Sequence, residues 1–504
     1  MLFFYVILLL GDNMKKILIL FVILTILTGC KKENNNNINN NKETTEISFK
    51  MPKKYETRPT KDITETIELT KDITLTKSGV YELTGTKENI TITIDTEDTI
   101  ELILSNLNIT NTNKEVIKIN KAKEVLITLK DKNKFITNDI DTIKSNEIIN
   151  IGGLGKLTID TKDTAINSKK DIIIESGTIN INSNKDAIKS DQNIYIFDTN
   201  ITIDTKRDGI SSEYGIQIQN GKFNITNKEE VSEEDEESRK GIKTSKTLLI
   251  ENGTFYINTI DDPINSEYDL TINNGNFTLS TKDDGIRADN DLIINNGNIE
   301  IKESQEGIES TRVIINNGNI KVNSLDDCIN AKAATKEAEN TEKARDYNKI
   351  LIQINGGNIN VSAGGDGLDS NGNLELNGGA LTVYTLNKKV NEGSLYVTNT
   401  ITFNGTKVSG TGNISNKIIS KEQGILYISF NEIQKKGTTI YLKDKKNKVL
   451  NKITPKNDFF YIVFANPDIE EDTYQVYINN KKAADVKMIK DIIKIDEKGK
   501  RLRR

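Results

Sequence analysis

Apolar positions recur along this chain on two scales at once. Locally, isoleucine and leucine alternate with polar residues, as in Ile73-Thr74-Leu75-Thr76, Ile90-Thr91-Ile92-Thr93-Ile94 and Ile299-Glu300-Ile301. A period of two is the pattern of a half-buried β-strand. Over a longer range one apolar residue returns about every 22 positions: Ile143, Ile166, Ile188, Ile210, Ile242, Ile264, Ile286, Ile308, Ile329, Leu368. Self-similarity at that period marks a solenoid whose units bury their cores against their neighbours. A second landmark follows about eleven residues later, as Asn273-Asn274-Gly275, Asn295-Asn296-Gly297, Asn316-Asn317-Gly318, Asn355-Gly356-Gly357 and Asn377-Gly378-Gly379, where Asn and Gly tolerate turn geometry and stacked amides bond along the column. Each unit therefore reads as two short strands and two corners. A leucine-rich horseshoe has a similar period, but its Leu-x-x-Leu-x-Leu signature is absent. A parallel β-helix fits, with coils one strand spacing apart, about 4.7–4.9 Å.

Two steps break the period. Lys228 to Glu237 is an acidic run, read as a solvated loop, and the segment from Ala331 to Glu339 carries strong helix formers, read as a surface excursion with a lid as the alternative. Past Lys388 the aromatic content rises, in Ile425-Leu426-Tyr427-Ile428, Phe459-Phe460-Tyr461-Ile462 and Tyr474-Gln475-Val476-Tyr477. These runs predict antiparallel strands in a small domain that caps the solenoid.

Ahead of the repeats, Met14-Lys15-Lys16 precedes an apolar run from Ile17 to Ile26 and then Leu27-Thr28-Gly29-Cys30. This has the layout of a secretory signal, and its ending resembles a bacterial lipobox, which implies a start at Met14, lipidation of Cys30 and an anchor on the extracellular face of a bacterial membrane. The run falls short of the ~20 residues of a membrane span. The Asn-rich stretch from Lys31 to Thr45 reads as a tether. The expected organisation is a signal segment over 1–30, a tether over 31–65, the β-helix over 66–388, a C-terminal β domain over 389–486 and a basic tail over 487–504, disordered from Lys498 on.

Composition narrows the chemistry. The 504 residues include no histidine and no tryptophan, and the net charge is -5. Imidazole bases, Ser-His-Asp triads and His-ligated zinc are excluded, and no basic groove offers itself to nucleic acid. Chemistry is left to Asp, Glu, Lys, Arg and Tyr.

The acids are placed by the repeat. Two residues before the periodic apolar position stand Asp186, Asp208, Lys240, Asp262, Asp284, Glu306, Asp327 and Asp366, and between them and it stand Ala187, Gly209, Gly241, Pro263, Gly285, Gly307, Cys328 and Gly367. The intervening residue is always compact but includes Pro, so the requirement is smallness and not positive φ. Cys328 is then a packed small residue and not a nucleophile. A corner here must turn the acids outward, since a column of carboxylates cannot face the core. Stacked about 5 Å apart they repel by roughly 1 kcal/mol per neighbour even in water. Lys185, Arg207, Arg239 and Lys240 can neutralise the earlier coils. From Asp261 to Asp369 the ladder gains Asp261, Asp283, Asp326, Glu309 and Asp369 while cations are sparse, which suits a hard cation with oxygen ligands, calcium above all. The competing reading, an Asp that caps its turn, explains one acid per coil and not the doubled ones.

Taken together, the run from Ile73-Thr74-Leu75-Thr76-Lys77-Ser78-Gly79 to Gly85, the repeated Asp-Asp-Gly-Ile and Asn-Gly units and the ending Gly365-Asp366-Gly367-Leu368-Asp369-Ser370-Asn371-Gly372 resemble the carbohydrate-binding-domain lipoproteins with a polysaccharide-lyase-like fold. The resemblance covers about Thr66 to Tyr384. It implies an all-β chain built as a right-handed parallel β-helix with a small C-terminal antiparallel β domain, and a calcium-containing cell-surface polysaccharide binder. The acidic positions it carries over are Asp208, Asp261, Asp262, Asp283, Asp284, Glu306, Asp326, Asp327, Asp366 and Asp369. Lys240, Pro263, Cys328 and Gln305 depart from the family pattern, and Lys240 interrupts the ladder.

The expected partner is thus an acidic polysaccharide held by a monomeric chain, with Tyr195, Tyr214, Tyr256 and Tyr268 as candidate sugar contacts. One alternative is a calcium-dependent lyase with Lys189, Lys282 or Arg287 as base, or a hydrolase using two ladder acids. The other is a surface spacer or adhesin.

Overall fold

The computed structural model describes residues 50–227, 237–333, 349–385, 393–415, 417–421 and 423–502. The signal segment, Cys30 and the Asn-rich stretch lie outside the described residues, as do 228–236 and 334–348 of the two insertions. Among the described residues no helix is long and apolar enough to cross a membrane.

The periodic apolar residues form one column. Ile143, Ile166, Ile188, Ile210 and Ile242 stand in parallel register, which continues through Ile264, Ile286, Ile308, Ile329 and Leu368. All ten are fully buried. Among the described residues the strands they begin lie within a narrow 15-stranded sheet, and the other strands of the coils belong to a broad 29-stranded one. The chain is a parallel β-helix.

Most coils have three strands where the sequence reading expects two, as Ile286–Ala288, Asp291–Ile294 and Asn298–Glu303 in one coil. The coils that begin at Ile188 and Ile210 keep two, their second strand running on as Asn193–Thr205 and Gly215–Thr226. In several coils the corner after the narrow strand is made by the serine that closes it. Oγ of Ser190, Ser212 and Ser266 accepts the backbone N–H two residues on, from Gln192, Tyr214 and Tyr268, at 3.0, 3.1 and 3.3 Å. A serine turn leaves no Gly or Pro to betray it.

The remaining corners follow expectation. Asn295 Nδ2 donates to Asn273 Oδ1, Asn316 to Asn295, Asn355 to Asn316 and Asn377 to Asn355, at 2.7–3.0 Å. At the compact corner a Cβ on Gly285 would meet the Gly307 carbonyl oxygen at 2.6 Å and Ile301 at 2.7 Å. Close approach, not handedness, demands glycine there. Inside, the rings of Phe223, Phe255 and Phe277 stack at 4.7 and 4.6 Å.

Three boundaries differ from expectation. Parallel pairing continues beyond 388, through Gly393–Val397, Ile401–Phe403 and Ile418–Ser420, although the acidic phrase has gone, because the strands keep their apolar alternation. It ends where Phe459–Asn466 pairs antiparallel with Lys407–Thr411; a separate four-stranded antiparallel sheet follows, formed by Ile440–Lys443, Val449–Ile453, Thr473–Ile478 and Lys481–Lys487. The basic tail includes a strand, Ile492–Asp496, parallel to Ile425–Ser429, since Ile493 and Ile495 have a core to enter. The supposed tether, finally, gives way before 65 to a strap. Arg58 lies on the broad sheet with its guanidinium bonded to Glu175, Thr128 and Asn150, and Tyr55 donates its hydroxyl to Glu124.

Candidate functional site

Two columns of side chains share the outer edge of the narrow sheet. The first is the row of corner acids. Asp186 Oδ1 accepts the backbone N–H of Asp208 at 3.2 Å, Asp208 Oδ1 that of Lys240 at 2.8 Å, Asp262 Oδ1 that of Asp284 at 3.1 Å and Asp327 Oδ1 that of Asp366 at 2.6 Å. A corner aspartate therefore caps the corner of the following coil and not its own, which occupies one of its oxygens. The acids are also less exposed than an outward turn would leave them, since Asp208, Asp262, Asp284 and Asp366 are buried. Their neighbours in the stack cover them.

The second column follows the core isoleucine by one residue, so that it points away from the core. In register it reads Lys118, Lys144, Asn167, Lys189, Ser211, Lys243, Asn265, Arg287, Glu309, Asn330, Asp369 and Tyr396. Along the early coils its lysines neutralise the corner acid three residues before them: Lys118 to Glu115 at 3.7 Å, Lys144 to Asp141 at 3.2 Å and Lys189 to Asp186 at 3.7 Å. Lys243 approaches Asp208 at 3.9 Å. From Asn265 to Asp369 the column supplies Asn, Glu and Asp instead, with Arg287 the exception. The switch from charge-paired to charge-surplus coils is visible in the sequence one residue past each isoleucine, a position the ladder reading used for Glu309 and Asp369 but did not follow back through the lysines of the early coils.

Within the surplus region carboxylates converge. Asp261, Asp262 and Asp283 each bring an oxygen within 4.8 Å of the others, and so do Asp284, Glu306 and Glu309. Cations are less sparse here than the sequence suggests. Lys240, read as an interruption of the ladder, reaches Asp261 at 2.5 Å and Asp262 at 2.6 Å. Lys332, from the start of the second insertion, lies 2.7 Å from Glu309 and 3.4 Å from Glu306. Arg287 sits 3.5 Å from Glu309 and 3.4 Å from Asp289. Burial works against its charge, but Glu309, Asp262, Asp289 and Asp284 prevail and drive the guanidinium further toward the charged form, so Arg287 is a counter-ion to these acids.

These cations leave the negative charge unbalanced. Burial, then Asp262, Asp283 and Glu306, push Asp284 up to about 8. Burial with the Glu306 and Asp284 carboxylates pushes Glu309 to about 9, and burial with Asp369, Asp366 and Asp326 pushes Asp327 to about 8. Asp283 and Asp369 rise to about 6, again chiefly through burial. Asp261 goes the other way: burial opposes its charge, but Lys240 prevails.

The ten acids do not form one site. Asp208 stands apart, taking the Ser238 hydroxyl at 2.7 Å. Asp326, Asp327, Asp366 and Asp369 belong to the last coils, where Asp366 accepts the backbone N–H of Gly393. Buried oxygens with no hydrogen-bond partner flank the clusters: Asn265 Oδ1, Asn330 Oδ1 and Asp369 Oδ1, while Asn265 and Asn330 spend their Nδ2 on Asp262 at 2.9 Å and Glu306 at 2.7 Å. A donor set of oxygen alone, in surplus negative charge and with acceptors left over, fits a hard divalent cation. Tyr214, Tyr256 and Tyr268 are exposed, yet neither they nor Tyr195 stands on the second column. Tyr396 does.

A family model described as carbohydrate-binding domain-containing protein matches residues 70–214, 136–285 and 280–442. The chain belongs to this family. Among solved structures it is similar to the polysaccharide lyase-like protein from C. thermocellum, determined as a gadolinium derivative, with 24% identity over 46% of this chain and 85% of that one and a TM-score of 0.32. No curated protein is significantly similar to the chain.

Proposed function

We propose that the protein is a lipid-anchored, extracellular binder of acidic polysaccharide, and that calcium on the surplus acids of the late coils bridges the chain to uronate carboxylates. Family membership supports the carbohydrate. The observation that carries the cation is the pair of carboxylate triads, Asp261/Asp262/Asp283 and Asp284/Glu306/Glu309, set where the second column stops supplying lysine. Those residues would hold the ion, and the ion would supply the positive charge that lets a polyanion lie on an acidic face. The protein's own groups do the rest: corner aspartates hold the coils in register, and Lys240, Arg287 and Lys332 restrain the remaining charge.

The test is retention of the full-length chain on polygalacturonate and on neutral glycans, with calcium or with chelator. Calcium-dependent retention on the acidic polymer alone is expected. New absorbance from unsaturated products would establish a lyase and overturn the reading, and absence of retention on every glycan would leave the spacer or adhesin in its place.

A further inference from the structure

The second column changes chemistry once more at its end. After Glu309, Asn330 and Asp369 it presents Tyr396, paired in register with Asp369 on the adjacent strand, so that the ring begins one strand spacing, about 4.8 Å, beyond the last ladder acid. Its neighbours Leu395 and Val397 are buried while Tyr396 is 46% exposed. Among the described residues its hydroxyl has no protein partner. Beyond it the narrow sheet runs out at the two-residue strand Asn413–Ile414, leaving a cleft of about 290 Å³ lined by Tyr396, Thr398, Asn413, Ser415 and Lys417. That is near the lower end of ligand-sized clefts, about 300–1,000 Å³.

Three features converge on this end. An aromatic face is offered to solvent, the surface on which the apolar faces of a sugar ring settle. Asn330, 5% exposed, keeps a buried Oδ1 without a hydrogen-bond partner two strands before the ring, and Asp369 keeps another one strand before it. Buried acceptors without donors are costly unless a ligand donates to them, and sugar hydroxyls are donors. Lys417, exposed at the far side of the cleft, has its ammonium near the Thr398 carbonyl at 3.2 Å and is within the same cavity as Tyr396.

We propose that the last coils form a sugar subsite in which one ring of an acidic glycan lies on Tyr396, its hydroxyls donate to Asp369 and Asn330, and its carboxylate faces Lys417. The inference rests on the glycan-binding reading above and deepens it. The triads give charge attraction along the ladder, and Tyr396 gives the end of the chain a ring-specific contact that needs no metal.

The experiment compares wild type with Tyr396→Ala, Tyr396→Phe and Lys417→Met in the full-length chain, titrating oligogalacturonate at saturating calcium and following calcium affinity separately. Tyr396→Ala should lose roughly fivefold to tenfold in sugar affinity with calcium affinity unchanged. Tyr396→Phe should stay within about twofold of wild type, and Lys417→Met should weaken oligogalacturonate but not its carboxyl-reduced form. Nitration of Tyr396 in wild type, read by mass spectrometry, should slow when the sugar is bound, which tests the contact even if a variant folds poorly. Wild-type binding with neither a loss in Tyr396→Ala nor protection of Tyr396 overturns the subsite and leaves the ladder reading standing. Failure of wild type to bind any glycan overturns that reading and the subsite with it.

Discussion

The backbone N–H of Asp284 donates a 3.1 Å hydrogen bond to Oδ1 of Asp262, the corner carboxylate one coil before it. Both residues are buried. One aspartate thus serves the fold with Oδ1, while its Oδ2 takes Lys240 Nζ at 2.6 Å and Asn265 Nδ2 at 2.9 Å and is the oxygen a cation would share with them, so the two roles separate by substitution. Asp262→Asn keeps an acceptor oxygen for the Asp284 N–H and removes the charge, so calcium affinity should fall while stability in chelator is held. Asp262→Ala removes the acceptor as well and leaves a buried N–H unsatisfied, a cost of about 1–3 kcal/mol. Urea denaturation in chelator beside calcium titration checks this. Equal destabilisation by the two variants would sink the capping account.

In the metal-free protein the acids should make stability fall with rising pH. Asp284 and Asp327 titrate at about 8 and Glu309 at about 9 in the folded chain, against about 4 unfolded. A raised folded pKa means that the folded state holds more protons across that window. Its contribution is therefore fully present below about pH 4 and is lost as pH climbs through 8 to 9. Asp261 and Glu306, both lowered, act in the opposite sense, contributing above pH 4 and losing it as pH falls. The raised groups dominate above pH 5. The Tm in chelator should drop by several degrees between pH 5.5 and pH 9, and calcium should abolish the drop. A flat or rising Tm would show that these carboxylates are already neutralised in another way.

The same protonation predicts proton release on metal binding. A cation held by Asp284, Glu306 and Glu309 displaces whatever protons Asp284 and Glu309 carry at neutral pH, because ligand carboxylates must be ionised. Calorimetric titration of calcium at pH 7 in two buffers of different ionisation enthalpy should give different apparent heats. Apparent affinity should rise by up to about tenfold per pH unit for each proton displaced. Buffer-independent heats would place the ion away from this triad.

How much of this was legible in the sequence follows from the range of each interaction. The isoleucine column could be read because one core residue per coil, repeated in register, is a local pattern stacked many times. Smallness at the compact corner was legible for the same reason, since Pro263 and Cys328 share the position with glycine and only size unites them. Ser190, Ser212 and Ser266 concealed the corner after the narrow strand because a serine turn is chemically quiet. The counter-ions of the late coils were hidden by distance: Lys240 lies 21 residues from Asp261 and Lys332 lies 26 from Glu306, so only the coil geometry brings them together. Tyr396 was passed over because the acidic phrase that marked the column had ended before it.

Arg58 gives the sharpest case of long-range chemistry. Its side chain is 5% exposed and its partner Glu175 is 1% exposed, yet the two are 117 residues apart. The guanidinium also donates to Thr128 at 3.2 Å and to Asn150, and Gly152 makes room for it, since a Cβ there would meet Arg58 Nε at 2.6 Å. The strap therefore ties together strands from three successive coils on the broad sheet. Arg58→Ala strands the Glu175 carboxylate in the protein without its partner, a loss on the order of 3–5 kcal/mol. Arg58→Lys restores charge but not the fork that reaches several acceptors at once, and should recover only part of it. Solenoid coils couple mainly to their neighbours, so the damage should stay local. Hydrogen exchange should accelerate in the strands Glu124–Lys130, Ile149–Gly153 and Ile172–Ile174, while those around Asp284 keep their protection and their calcium affinity. Loss of calcium affinity in Arg58→Ala would mean that the β-helix unfolds as one cooperative body.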